Sequence, residues 1–270
     1  LCHVARLFSD RLKLQADVDS VLHWSQLWLL PLSLSKLVYL HVGSRSAKYT
    51  YFCGSSQINA VAQVKDLGVT FSENLCFRPH IALIVKQAHA VCAQIFRVFE
   101  TRDSFFLMSL FNTYVRPILE SSSSVWSPHL KIDVACIERV QRLFTKRITS
   151  LRHLSYEERL RSIGQTTLEH RRLYLDLVLL YKIIHGLSSL SLNNIGLSAV
   201  NEKRALRNFG FSLNVINIPL SSLGMFSFAS RTHKLWNILP KKAYGMSLNS
   251  FKKFVYQLDL VSLMQGCYKN

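Results

Sequence analysis

The chain has 270 residues, 49% of them hydrophobic and 18% charged, a balance that supports one large or two modest packed cores and excludes a disordered tail. Lys and Arg number 33 against 16 Asp and Glu, a formal charge of +17 at neutral pH, which points to a polyanionic partner. The apolar runs are broken at Lys86, Asp176 and Lys182 before reaching the roughly 18 residues that a membrane span needs, so no membrane partner is expected.

The spacing of Leu14, Val18, Val21, Leu22, Trp24 and Trp28 predicts an amphipathic helix over 12–28 that Pro31 ends. Three runs, 37–42, 49–53 and 61–69, have strand character with turns at Gly43 and Gly54, and are expected to form a small antiparallel sheet packed on that helix. From Pro79 the period becomes helical: Ile81, Ile84, Val85, Ala88, Val91, Cys92, Ile95, Phe96 and Phe99 share one stripe. A second helix starts at Asp103, a suitable N-cap, and meets Pro117, which should kink or end it. A third runs near 132–151 with Ile137, Val140, Phe144, Ile148 and Leu151 on its apolar side. Ser155 to Glu158 reads as a capping box, Gly164 as a stop, and Thr166 or Thr167 as the start of a very apolar helix that Gly186 closes. The stretch 187–224, rich in Ser and Asn, lacks steady periodicity and suggests a loop or linker, and 225–270 a last helical region around Trp236, Pro240, Phe251 and Phe254. The expected fold class is α+β: a small antiparallel sheet with a helix at the N-terminus, then a mostly α-helical remainder.

Six cysteines, at positions 2, 53, 76, 92, 136 and 267, form no C-x-x-C pair and have no His at zinc-finger spacing; they read as reduced thiols of an intracellular protein. No metal site is expected. The first residue is Leu, followed by neither a signal nor a transit peptide, as for a chain that begins inside a longer reading frame. Neither a G-x-S-x-G setting nor a glycine-rich phosphate loop is present, and no small-molecule ligand is expected. Between Glu138 and Arg172 stand nine Arg or Lys against four acids; Arg139, Arg142 and Lys146 lie about a hundred degrees from the apolar stripe, with Arg147 beside them. Such a row either tracks phosphates or is a solvated face with i to i+4 ion pairs. Trp126 and Trp236, beside Pro128 and Pro240, are open to base stacking or to packing.

Several strings, in one order, resemble the reverse transcriptases of LINE-type non-LTR retrotransposons of the jockey and CR1 kind. They include LQADVDSVLHWSQLW (Leu14 to Trp28), LPLSLSKLVYLHVG (Leu30 to Gly43), VKDLGV (Val64 to Val69), YVRPILE (Tyr114 to Glu120), VWSP (Val125 to Pro128), IERVQRLFTK (Ile137 to Lys146), LSYEERL (Leu154 to Leu160), LEHRRLYLDLVLLYK (Leu168 to Lys182) and RTHKLWNILP (Arg231 to Pro240). The resemblance runs from Leu1 to about Asp259. It implies a palm remnant and primer-grip region over 1–75, a helical thumb-like region over 76–186, a linker over 187–224 and a helical C-terminal region over 225–270.

The implied parent activity is RNA-directed DNA polymerisation with Mg²⁺ held by carboxylates. Where the family has an aromatic-Ala-Asp-Asp hairpin, this chain reads Leu1-Cys2-His3-Val4. Val4 offers no donor and His3 only a neutral nitrogen to a hard cation, so no catalytic residue is intact, no cofactor is expected in this chain, and inactivity is expected. Lys36 matches a family lysine that would protonate pyrophosphate; a solvated lysine fits the same string. Residues 64–69 match the primer-gripping hairpin, or are simply a turn before a strand. The implied contacts to an RNA/DNA hybrid or duplex are Lys65, Arg139, Arg142, Lys146, Arg147, Arg171 and Arg172. Three other readings fit: a host-adopted module that binds nucleic acid without catalysis, an enzyme completed by a second chain, and a decayed copy without function. The family's chemistry is nuclear, although no basic cluster here reads as an import signal.

Overall fold

The computed structural model describes residues 8–43, 49–199, 212–216 and 222–267, and the chain divides into two compact units, Leu1–His80 and Ile81–Asn270. The fold is α+β.

In the first unit, helix α1 (Phe8–Leu27) ends where Leu29 turns into the left-handed region, two residues ahead of Pro31. Six short strands follow: β1 (Val38–Tyr39), β2 (Phe52–Cys53), β3 (Ser56–Gln57), β4 (Asn59–Ala60), β5 (Gln63–Asp66) and β6 (Val69–Ser72). They pair as separate two-stranded ribbons, β2 with β3 and β5 with β6 antiparallel, β1 with β4 parallel. The run 61–69, expected as one strand, is folded back on itself because Leu67 and Gly68 both take positive φ, 45° and 88°, the backbone of a two-residue hairpin turn.

The sheet residues pack on α1 as its apolar spacing implies: Leu14, Val18 and Leu22 lie against Tyr51, Cys53 and Ile58. Gln15 fixes the register, since its amide accepts from the Phe52 N–H at 3.0 Å and donates to the Phe52 carbonyl at 2.8 Å. The rings of Tyr39 and Tyr49 meet Tyr51 edge-on, each at 5.1 Å.

Helix α2 (Arg78–Val98) buries Ile81, Ile84, Val85, Ala88, Cys92, Ile95 and Phe96 of the expected stripe, while Val91 and Phe99, the latter just past the helix end, are half-buried. Despite Lys86, α2 is long and apolar enough to cross a membrane by length and composition, with a mean hydropathy of 1.3, which revises the sequence expectation. Its buried stripe accounts for that hydropathy as a core face.

In the second unit, α3 (Ser104–Leu110) is capped by Asp103, whose carboxylate accepts from the Phe105 and Phe106 N–H groups. Pro117 acts just upstream of itself: Phe111–Val115 widen into a π turn before α4 (Arg116–Glu120) resumes. A proline ring clashes with the carbonyl four residues back, and the wider turn relieves that contact.

Next come α5 (Ser123–Trp126), α6 (Lys131–Lys146), α7 (Tyr156–Ser162) and α8 (Leu168–Ile184). Both arms of the Ser155–Glu158 capping box are formed, and Thr167 caps α8. Gly164 and Gly186, at φ 62° and 65°, terminate the last two helices.

The stretch expected as a linker is part of the core where it is described. A 3-10 turn (Asn193–Ile195) leads into β7 (Leu197–Ala199), which pairs antiparallel with β8 (Leu213–Val215), and Leu197 and Leu213 are fully buried. The Asn237 side chain holds the N–H and carbonyl of Leu213 at 2.9 and 3.0 Å. Helices α9 (Ser222–Met225), α10 (Phe228–Ile238), α11 (Leu248–Gln257) and α12 (Leu260–Cys267) complete the unit. Around α8 they bury Leu177, Leu180, Tyr181, Trp236, Phe251 and Val255. Trp126 and Trp236 are 1% and 0% exposed, so both are packing anchors with no face free for a base.

A second apolar junction lies behind α6, where the Phe144 ring meets Phe96 at 4.8 Å and Phe111 at 4.9 Å. Phe144→Ala is expected to lose about 3–5 kcal/mol of stability, read from the denaturant midpoint; a loss of only a few tenths would show that these rings do not anchor the unit.

Candidate nucleic-acid interface

Helix α6 sorts its side chains by angle. Ile137, Val140, Phe144 and Thr145 are buried, while Arg139, Arg142 and Lys146 are exposed on one face, at spacings of three and four residues. The Arg142 guanidinium lies over the Tyr156 ring at 4.7 Å, and that of Arg147, also exposed, over Phe96 at 4.0 Å, so aromatic faces orient two of the four cations. Arg152 and, on α7, Arg161 are also exposed.

Beneath this row lies a buried polar network joining α6, α7 and α8. Glu138 accepts from the Tyr156 hydroxyl and, at 3.0 Å, from the Leu168 N–H in the first turn of α8, which places a carboxylate at the positive end of that helix. Gln141 donates to the Thr166 carbonyl at 2.9 Å and to the Tyr156 oxygen at 3.1 Å. Arg159 is buried, with Nε on the Thr145 hydroxyl at 3.2 Å and Nη1 on the Leu154 carbonyl at 2.8 Å. Burial raises the Glu138 carboxyl above its ordinary range, against the opposing hydrogen bond from Tyr156 and the charge of Arg172. Burial and the neighbouring Glu138 likewise push the Tyr156 hydroxyl up.

Two of the residues expected to contact phosphate lie off the exposed face of α6. Arg171 is half-buried, paired with Glu120 through Nε and, at 2.9 Å, through Nη2. Arg172 is 1% exposed and lines the floor of a cleft instead of the outer face. Both arginines lie in the polar opening of α8, and they are covered because the apolar remainder of the helix, from Leu173 to Ile184, is packed into the core.

The remaining expectations fall in the first unit. Lys65 is exposed on β5 of the two-stranded hairpin, and Lys36 is exposed at the end of the 3-10 turn Leu34–Lys36. His3 and Val4 lie outside the described residues. An imidazole and an aliphatic side chain do not form a magnesium-binding donor set, and no group of three His, Cys, Asp or Glu placed to hold a metal occurs among the described residues.

The structure also brings together residues that the sequence reading did not connect. A cleft of about 990 Å³ is bounded by α6, α8, α12 and residues 127–129. Lys131, Arg139 and Arg142 line it, and at one wall the rings of His129 and Phe226 stack at 4.1 Å. The one available signal was the presence of Arg172 and Asp176 on the face of an otherwise apolar helix, where a charge needs a partner.

Comparison with known proteins gives little beyond this geometry. No protein-family model matches the chain, and no solved structure matches it. A Caenorhabditis elegans protein named "Uncharacterized protein B0403.1" is 26% identical over 127 residues, covering 46% of this chain and 64% of that protein, less than two thirds of its length.

The raised Glu138 carboxyl has a definite sign in folding. Its folded pKa lies above the ordinary 4.5, so the folded state holds the extra proton, and the group's contribution to stability declines as pH rises above that value. Glu138→Gln removes the titration while keeping an oxygen acceptor. Unfolding curves for both proteins at a series of pH values should show wild type losing ground to the variant as pH rises; a difference that is flat with pH would refute the assignment.

Proposed function

We propose that this chain is the C-terminal portion of a LINE-type reverse transcriptase that holds duplex nucleic acid through α6 and does not itself polymerise. The observation that carries the reading is the exposed row Arg139, Arg142 and Lys146 on a helix whose opposite side is anchored in the core. Seven residues of helix span roughly 10 Å, the axial length of about three phosphates of one strand. Cations at that spacing, held by a packed helix, suit sequence-independent contact with a phosphate backbone. The ordered strings from Leu14 to Pro240 support the family, and the formal charge of +17 supports a polyanionic partner. Mg²⁺ would supply the phosphoryl-transfer chemistry in an intact relative; in this chain His3 and Val4 stand where carboxylates are needed to hold it.

The reading is tested by binding to a labelled RNA/DNA hybrid across a salt series, with Arg139, Arg142 and Lys146 changed together to Ala. Wild-type affinity should fall steeply with salt, and the triple variant should bind more weakly with a log–log slope shallower by roughly 2 to 3, at about 0.9 per lost phosphate contact. Equal affinity and slope in both proteins would sink the duplex-holding role. Template-directed nucleotide incorporation should be absent, and activity that disappears in His3→Ala would overturn the loss of catalysis.

A further inference from the structure

Arg172 is a buried cation that the packing of α8 leaves unsatisfied. It is 1% exposed, and its Nη1 and Nη2 have no hydrogen-bond partner. An arginine keeps its charge in a protein and demands donor partners in a fixed planar fork. The acidic groups whose charge it feels are, in order of size, Glu138, Glu169, Asp176 and Glu120; Glu169 lines the same cleft, and the other three each already take a different donor. Glu138 is held by Tyr156 and the Leu168 N–H, Asp176 by Arg231 at 2.6 Å, and Glu120 by Arg171. Their charges help to offset that of Arg172, but none of them accepts from its Nη atoms.

The side chain of Arg172 lines the 990 Å³ cleft, a volume that suits a nucleotide-sized ligand. Lys131, Arg139, Arg142 and Arg231 share that lining with the carboxyl groups of Glu138, Glu157 and Glu169, so cations outnumber acids there, and the stacked His129–Phe226 pair gives it a flat aromatic wall. Two parallel N–H donors of one guanidinium match two oxygens of an anion. Further cations around them favour a doubly charged group over a single carboxylate, and the aromatic wall suits a planar ring attached to it.

We propose that the cleft between α6, α8 and α12 binds a phosphate monoester on a nucleotide-sized ligand, with Arg172 as the buried anchor for its oxygens. The sequence indicated no small-molecule ligand; the unmet donors of Arg172 and their place in the cleft are tertiary facts. The Nη atoms are closed to bulk water, so the ligand engages them after a rotamer change toward the cleft that the side chain already lines. The proposal does not depend on the duplex-holding role of α6. The phosphate can come from a free mononucleotide or from the 5′ end of a strand.

The test is calorimetric titration of the full chain with adenosine monophosphate at fixed ionic strength, using adenosine as the uncharged control. Competition by single-stranded oligonucleotides carrying a 5′-phosphate or a 5′-hydroxyl separates the two sources. Wild type should bind the monophosphate saturably and adenosine far more weakly. Arg172→Met, checked for folding by circular dichroism, should weaken monophosphate binding by about tenfold or more. Lys131→Ala, at an exposed position, should weaken it several-fold with the fold intact. Stronger competition by the 5′-phosphorylated strand supports the site with a strand end as ligand; competition by neither strand supports it with the free nucleotide, and equal competition by both, which needs only backbone phosphodiesters, overturns the monoester site. No saturable binding to wild type, or undiminished affinity in a folded Arg172→Met, overturns the proposal. Should Arg172→Met fail to fold, unchanged affinity in Lys131→Ala overturns it.

Discussion

A helix buried on nearly every side must find a partner for each polar group it carries, and the second unit is arranged around that demand of α8. Asp176 receives Arg231 from α10, and the same guanidinium reaches the carbonyls of Phe226 and Ser124 at 3.0 and 2.7 Å. His170 Nε2 lies 3.0 Å from the Leu258 carbonyl, the Tyr181 hydroxyl donates to the Met246 carbonyl, and Arg171 pairs with Glu120 of α4. Apolar contact alone tolerates many rotations of one helix against another. These directed bonds select one, because breaking a buried pair leaves an uncompensated charge at a cost of about 3–5 kcal/mol.

The same demand explains how the basic residues divide. Those on α6 face outward where the helix is amphipathic, and aromatic rings beneath them leave the charged heads available to solvent. On α8 no residue is fully exposed, and Arg171 and Arg172 lie inward among carboxylates. Arg171 has a bidentate partner, whereas Glu138, Asp176 and Glu120 near Arg172 each take another donor and its Nη atoms have none. That asymmetry between adjacent residues separates a structural ion pair from a candidate ligand anchor.

Short strands present a related problem, since two or three residues expose more backbone groups than they pair. Both units meet it with a side-chain amide that imitates a neighbouring strand: Gln15 on Phe52 in the first, Asn237 on Leu213 in the second. In each case the amide comes from a helix packed alongside, so the bond that completes the strand also fixes the helix to it. The hairpin of β5 and β6 closes instead through its own turn, with Lys65 on its exposed side.

What the sequence by itself determined is local. Asp103, the Ser155–Glu158 box, Thr167, Gly164 and Gly186 set helix ends because a cap and its target lie within about four residues, and the disturbance ahead of Pro117 has the same short range. The outward row of α6 was legible for a similar reason, a clear 3.6-residue period with one apolar face. The α+β class followed from the change of period near Pro79. Only the tertiary structure decided that the Ser-rich stretch after Gly186 supplies Leu197 and Leu213 to the core, and that Arg172 lies inside. Those outcomes depend on partners far along the chain, such as Glu120 and Arg171, 51 residues apart, and Ser124 and Arg231, 107 apart. A charge on an apolar helix announces that it needs a partner, but which group answers is settled by what packs over it.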